Sequence, residues 1–199
     1  NKEDGEKITY FKAEDEKDEA DFIAREINIL KNGNLKYSDF AVLYRTNAQS
    51  RSLEDVFARR GIPYRVLSGM RYYDRKEVKD MMSYMRLVIN PKDDLALTRI
   101  INEPKRGIGA KTLEKLFTLA EVRGQSLMES LWEDEVLDTL PKKAFEDVKK
   151  MARTIELCRE EADSLSVADI YDQLLVNTGY LSALEAERTV EAESRIENL

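Results

Sequence analysis

Residues 40–51 read FAVLYRTNAQSR, with a continuous apolar run directly before a polar segment. The run at 40–44 has the length and composition of a strand buried on both faces of a parallel sheet. The polar residues that follow can cap a helix, which Gly61 is placed to end. The stretch therefore predicts a strand followed by a helix.

Strands and helices are predicted to alternate around this stretch. Residues 8–11 predict an earlier strand, and the apolar residues from Ala20 to Leu30 keep helical spacing. Residues 62–67 predict a third strand. This order is typical of α/β units with right-handed crossovers, in which ligands bind at the carboxyl ends of strands. We therefore expect an α/β fold with a parallel sheet.

From residue 75 onward the pattern is helical. Asp93-Asp94 reads as a helix N-cap rather than a metal site. A soft domain boundary is expected near Pro141. After the helix that starts at 75, further helices are expected at about 93–102, 110–122, 126–133, 142–161, 166–177 and 181–197.

The composition excludes several kinds of chemistry. With no histidine and one cysteine, the chain cannot form zinc sites, Ser-His-Asp triads or Cys-His pairs. Cys158 lies on the apolar stripe of a predicted helix, so we expect a buried thiol. No long apolar run indicates a membrane span, and we expect a cytoplasmic protein. No Gly-x-x-x-x-Gly-Lys-Ser/Thr motif is present, so the isolated chain should not hydrolyse ATP.

The net charge of −7 is unevenly distributed. Residues 1–38 carry a net charge of −3, residues 39–111 carry +6, and residues 112–199 carry −10. A polyanion would therefore meet the middle segment.

Three motifs could carry function. Tyr44-Arg45 ends a predicted strand, where an aromatic ring can stack on a flat ligand and a guanidinium can meet phosphate oxygens. A structural alternative is a tyrosine at the sheet edge beside a surface arginine.

The second motif spans residues 69–77, where Arg71, Tyr72, Tyr73 and Arg75 could stack on bases and hold phosphates. Its alternative is a loop whose tyrosines pack on the domain. The third motif, at 105–112, resembles a helix-hairpin-helix loop that grips a DNA backbone; its alternative is a tight interhelical turn. The candidate contacts there are Lys105, Arg106, Gly107, Gly109, Lys111 and Thr112.

Together these motifs resemble superfamily 1 DNA helicases of the UvrD/Rep/PcrA type. The likeness is carried by residues 41–51, Pro63-Tyr64-Arg65, residues 69–75, Glu77-Val78-Lys79-Asp80, residues 102–109 and residues 195–199. It covers nearly the whole chain. One departure is Tyr72-Tyr73, which stands where relatives often have two phenylalanines.

The resemblance implies a fold and a set of roles. Residues 1–138 would be the N-terminal portion of a second RecA-like motor domain (2A-like, with a helical segment at 75–138), and 139–199 would begin a helical 2B-like insertion. Tyr44 would stack on adenine, and Arg45 would contact the γ-phosphate of ATP. ATP and Mg²⁺ would be held mainly by the other motor domain of a longer polypeptide, of which this chain is an internal piece.

The implied activity is ATP-dependent 3′–5′ unwinding of DNA in repair and replication. The partners that the resemblance implies are single-stranded and duplex DNA, together with repair or replication proteins. It implies no membrane. Two other readings stay open. One is a non-catalytic DNA-binding or protein-interaction module, and the other is a helicase-related nuclease subunit, which the absence of a carboxylate and lysine cluster disfavours.

Overall fold

A computed structural model describes residues 7–31, 33, 35–67, 71–133 and 140–199. The chain forms two units, Asn1–Tyr72 and Tyr73–Leu199. Each unit is described by itself below. Helices are numbered in chain order over the described residues.

The first unit is built on two helices, α1 (Glu16–Lys31) and α2 (Ser50–Arg59). Residues Ala20, Ala24 and Ile27 recur every three or four positions, so they form one face of α1. That face packs against the apolar side of α2, and Ile62 completes the small core. Gly61 ends α2 with a φ of +66°, a conformation that favours glycine.

The predicted parallel sheet is wrong. None of the described residues forms a strand or a sheet, so the α/β, RecA-like class expected from the sequence is replaced by a helical architecture. Short 3-10 turns occur at Tyr37–Asp39 and Asn47–Gln49. The segments predicted as strands at 8–11, 40–44 and 62–67 lack regular structure.

The prediction of strands failed for a physical reason. An extended segment becomes a strand only when it forms backbone hydrogen bonds with a neighbouring strand. In the described part of the chain, no hydrogen bond joins 40–44 to 62–67. The expectation of burial on both faces was also wrong. Phe40 and Val42 pack against the core, whereas Leu43 is 93% exposed.

The second unit is helical, as predicted. After a 3-10 turn at Tyr72–Asp74 come α3 (Lys76–Ile89), α4 (Asp94–Ile100), α5 (Ala110–Arg123), α6 (Leu127–Ser130), α7 (Lys142–Glu160), α8 (Val167–Asn177), α9 (Tyr180–Glu187) and α10 (Val190–Glu197).

Side-chain caps explain where several of these helices begin. The Asp93 carboxylate accepts a hydrogen bond from the Ala96 N–H at 2.9 Å, which confirms the predicted N-cap. Ser126 and Ser166 cap α6 and α8 in the same manner. The region predicted as one helix at 181–197 is two helices, because Arg188 adopts a left-handed φ of 51° and Thr189 caps a new helix.

The core of the second unit contains Tyr84, Leu87, Leu97 and Ile100, none of which is measurably exposed. Cys158 is also buried, as predicted, and its burial raises the pKa of the thiol. The predicted boundary between residues 138 and 139 lies outside the described residues and stays a prediction. Across the described ranges, no helix is both long and apolar enough to cross a membrane.

Replacing Leu97 should destabilise the second unit strongly. Leu97→Ala leaves a cavity in a fully buried site and should lower the free energy of unfolding by about 2–5 kcal/mol. Leu95→Ala is a matched control in the same helix, because Leu95 is 82% exposed. Chemical denaturation of both variants measures the difference, and equal losses would contradict this packing.

Candidate functional site

Tyr44 and Arg45 lie at the end of the irregular segment that leads into α2. The backbone N–H groups of Arg45 and Thr46 both donate to the Gln49 side-chain oxygen, at 2.9 and 3.0 Å. Gln49 thereby fixes the chain direction after Tyr44. The Arg45 side chain is exposed and makes no hydrogen bond or ion pair with the described residues. Its fork of donors is thus open to an anion.

A cleft of about 800 Å³ lies beside Tyr44 in the first unit. Its walls come from the irregular segments at 40–44 and 62–67 and from α2, and its lining is mostly apolar. The Tyr44 ring borders this cleft and is 37% exposed. It is therefore accessible to a flat ligand.

Glu54 is a buried carboxylate that holds Tyr72, the last residue of the first unit. It accepts hydrogen bonds from the Ser50 hydroxyl at 3.0 Å, the Tyr64 hydroxyl at 3.2 Å and the Tyr72 N–H at 3.1 Å. Burial, followed by the charge of Glu54, raises the pKa of Tyr64. The Tyr64 hydroxyl therefore stays protonated and can donate.

The aromatic and basic residues of the second motif occupy different environments. Tyr72 is 7% exposed, and the Arg51 guanidinium lies 5.4 Å from its ring centre. The Arg71 side chain is exposed and lies 5.7 Å from the Tyr64 ring centre. Both arginine positions are within the range of a cation–π contact. Gly69 and Met70, which open this motif, lie outside the described residues.

Tyr73 and Arg75 belong to the second unit. Tyr73 is half exposed, whereas Arg75 is 7% exposed. The Arg75 guanidinium donates to the Asn198 side-chain oxygen, and the Asn198 amide donates to Glu77 at 2.6 Å. This buried chain of contacts joins the start of α3 to the residue after α10. Arg75 is thus engaged within the protein.

The third motif forms a compact loop before α5. The Asn102 side-chain oxygen accepts from the N–H groups of Arg106 at 2.8 Å and Ile108 at 3.1 Å. Gly107 has a φ of +79°, which requires glycine, and Gly109 is the N-cap of α5 without a side-chain cap. The first N–H groups of α5 are therefore oriented for an anion.

Arg106, which the sequence offered as a phosphate contact, lies inside the protein with 5% exposure. Its guanidinium donates to the carbonyl oxygens of residues 100, 101, 103 and 178 and to the Tyr84 hydroxyl, at 2.9–3.2 Å. In contrast, Lys105 and Lys111 are exposed and Thr112 is partly exposed. The loop thus brings together two accessible lysines, two glycines and a helix N-terminus.

A second buried carboxylate, Asp80, lies near this loop. It forms ion pairs with Arg99 at 2.8 Å and Lys76 at 3.4 Å, and it accepts from the Tyr180 hydroxyl at 2.8 Å. Lys76 also pairs with Glu103 at 2.6 Å. The contacts join α3, α4 and α9 to the start of the loop.

Sequence reasoning missed the buried polar residues that support the candidate sites, above all Glu54, Asn102 and Asp80. One signal was available for Glu54, which lies between Leu53 and Phe57 on the apolar side of α2. A charged residue at such a position needs a partner. Among the described residues, no group of three or more cysteines or carboxylates could hold a metal ion.

Comparison with known proteins defines the class. The UvrD-like helicase C-terminal domain family matches residues 1–185, so the chain belongs to this family. The helicase resemblance expected from the sequence is confirmed.

The particular relatives are PcrA helicases. The chain is 42% identical over 195 residues to the ATP-dependent DNA helicase PcrA of Staphylococcus aureus strain Mu50, and equally identical to PcrA of Staphylococcus epidermidis strain RP62A. Each alignment covers 98% of this chain and 27% of the relative. The chain thus spans about a quarter of the length of these proteins.

The buried Tyr180 hydroxyl should make stability depend on alkaline pH. Burial, and then the charge of Asp80, raises its pKa far above the ordinary 10.0. An unfolded tyrosine ionises near that value and the folded one does not, so stability is complete below it and falls as pH rises above it. Tyr180→Phe should make the free energy of unfolding fall less steeply with pH, by up to about 1.4 kcal/mol per pH unit.

Chemical denaturation at a series of alkaline pH values measures this slope. Tyr73→Phe is the matched control, because it removes a hydroxyl from a half-exposed ring in the same unit. An identical slope in the parent protein and Tyr180→Phe would count against a protonated, buried Tyr180.

Proposed function

We propose that the chain is part of an ATP-dependent DNA helicase that translocates 3′–5′ and unwinds duplex DNA in repair and replication. In this proposal, Tyr44 and Arg45 contact ATP, and the loop at 105–112 contacts DNA. The observation that carries it is the exposed Arg45 guanidinium, on a backbone whose N–H donates to the Gln49 side chain just before α2. The 42% identity to PcrA helicases supports the same conclusion.

Arg45 would stabilise charge on the γ-phosphate as ATP is hydrolysed. A guanidinium is always charged and can meet two phosphate oxygens with its planar fork. An arginine in this role is worth roughly 10³–10⁵ in rate. The Gln49 side chain fixes the Arg45 backbone, and the exposed guanidinium extends from this fixed point. Closure onto ATP would then couple hydrolysis to movement.

Tyr44 would provide a stacking surface for adenine. Its ring is 37% exposed and next to Arg45 in the chain, so one backbone segment can present both groups to a nucleotide. We propose that ATP and Mg²⁺ are held mainly by residues outside this chain, since its sequence has no phosphate-binding P-loop. The isolated chain is then expected to be inactive as an ATPase.

DNA would be held by the accessible members of the other two motifs. Lys105, Lys111 and the N–H groups at the start of α5 can meet phosphate oxygens without reading sequence. Thr112 and the glycines Gly107 and Gly109 belong to the same loop. Arg71 and Tyr73 are exposed and can each contact single-stranded DNA, whereas Tyr72 and Arg75 are buried.

A non-catalytic DNA-binding module is the second candidate, favoured by the exposed basic loop at 105–112. It predicts salt-sensitive DNA binding by this chain that does not depend on Arg45. The two candidates therefore differ in the effect of an Arg45 substitution on ATP hydrolysis.

In the full-length protein, Arg45→Ala should lower the rate of DNA-stimulated ATP hydrolysis by roughly 10³-fold or more, because the transition-state charge loses its cation. DNA affinity should stay near the parent value. Steady-state ATPase assays and fluorescence anisotropy with labelled DNA measure the two effects. Arg59→Ala is the control, since Arg59 is an exposed arginine on α2 whose side chain bonds only the Asp55 carbonyl among the described residues. Near-normal turnover in Arg45→Ala would reject the proposed role.

Lys111→Gln should weaken binding to all DNA sequences by a similar factor. Loss of one phosphate contact should also reduce the slope of log affinity against log salt by about 1. Salt titrations of DNA binding test this, with Lys92→Gln as an exposed control between α3 and α4. An unchanged slope in Lys111→Gln would remove Lys111 from the interface.

A further inference from the structure

Arg106 carries its positive charge inside the protein, with partners of an unusual kind. Four of them are backbone carbonyl oxygens, at residues 100, 101, 103 and 178, and the fifth is the Tyr84 hydroxyl. Burial raises the pKa of Tyr84, so its hydroxyl stays protonated and donates to the Glu103 carbonyl at 2.6 Å. The guanidinium is thus surrounded by acceptors and cannot also reach a phosphate.

Three of the four carbonyl partners lie at the ends of two helices. Ile100 is the last residue of α4 and Ile101 its C-cap, whereas Thr178 is the C-cap of α8. The final carbonyls of a helix have no partner within it and carry partial negative charge. One guanidinium satisfies both ends at once, because its two terminal nitrogens point in different directions. Arg106 therefore joins α4 and α8 through a single side chain.

The same residue is part of the loop that precedes α5. Its backbone N–H is held by Asn102, the next residue is Gly107 with its left-handed φ, and Ile108 is buried. Because both the side chain and the backbone of Arg106 are held by hydrogen bonds, the loop has little conformational freedom. Lys105 and the N-terminus of α5 flank this anchor on its two sides.

We propose that Arg106 is a positioning residue for DNA binding: it holds the loop so that Lys105, Lys111 and the first N–H groups of α5 can meet the same phosphate backbone. This inference rests on the proposed DNA contact at 105–112. In this inference Arg106 supports the interface, and the two exposed lysines contact the DNA.

The fork of the guanidinium, more than its charge, is what this role requires. A lysine keeps the charge but has one compact ammonium group, which cannot reach the carbonyls of α4 and α8 together. A residue that contacts phosphate directly would tolerate Arg106→Lys, since lysine also binds phosphate. A positioning residue would not tolerate it.

The experiment is a double-mutant cycle in the full-length protein, with duplex DNA affinity as the readout. Arg106→Lys should weaken binding roughly tenfold, and Lys111→Gln should lose most of its own effect in the Arg106→Lys background, because the misplaced loop no longer presents Lys111. Additive effects would overturn the proposal, since they mean that Arg106 acts independently of the lysine. Parent-like affinity in Arg106→Lys would also overturn it.

Asn102→Ala keeps the proposal testable if Arg106→Lys does not fold, because it removes only the acceptor for the two loop N–H groups. It should show the same coupling to Lys111→Gln. Asn102→Asp retains an acceptor oxygen and should restore most of the affinity. Failure of this rescue, with Asn102→Ala uncoupled from Lys111, would reject positioning by the loop anchor.

Amide hydrogen exchange separates this inference from the proposed function. If Lys105→Gln and Lys111→Gln both leave DNA affinity unchanged, the loop is not the DNA contact and the proposed function fails there. Faster exchange at 107–112 in Arg106→Lys, with exchange in α7 unchanged, would show that Arg106 fixes the loop whether or not the loop binds DNA. Unchanged exchange at 107–112 would overturn it.

Discussion

Carbonyl groups at the ends of buried helices need hydrogen-bond donors, and the Arg106 guanidinium supplies them for α4 and α8. A buried polar group left without a partner costs about 1–3 kcal/mol, and several would be left if this side chain were removed. The contact with Thr178 spans 72 positions in the chain. The end of α4, the end of α8 and the loop before α5 therefore depend on one another, and the local geometry of the loop follows from long-range packing.

The first unit uses the opposite charge for a similar purpose. Glu54 receives a hydroxyl from its own helix, a hydroxyl from the segment at 62–67 and the Tyr72 N–H. Helix α2, the segment at 62–67 and the backbone at Tyr72 thus converge on one carboxylate. In both units, an exposed residue with a proposed role is next in the chain to a residue that contacts or carries a buried charge. Arg71 precedes Tyr72, whose N–H donates to Glu54, and Lys105 precedes the buried Arg106.

Local sequence information predicted the helices of the second unit well, because their stripes, caps and stops are all short-range signals. Asp93 and Cys158 are examples that the structure confirms. The parallel sheet was wrong because apolar runs such as 40–44 indicate a tendency to extend but not the presence of a pairing partner. At 105–112, the sequence identified the basic residues but not which of them are buried. Only tertiary contacts, such as that with Tyr84, separate a buried arginine from an exposed lysine.

The buried thiol of Cys158 has a practical consequence for spectroscopy. Its side chain has no exposed surface, and burial disfavours the thiolate that reacts with maleimides. No other cysteine occurs in this sequence. A single cysteine introduced at an exposed position could therefore carry one fluorophore or spin label without any prior removal of the native thiol. Solvent exposure and mobility at that one position can then be followed in an otherwise unaltered chain.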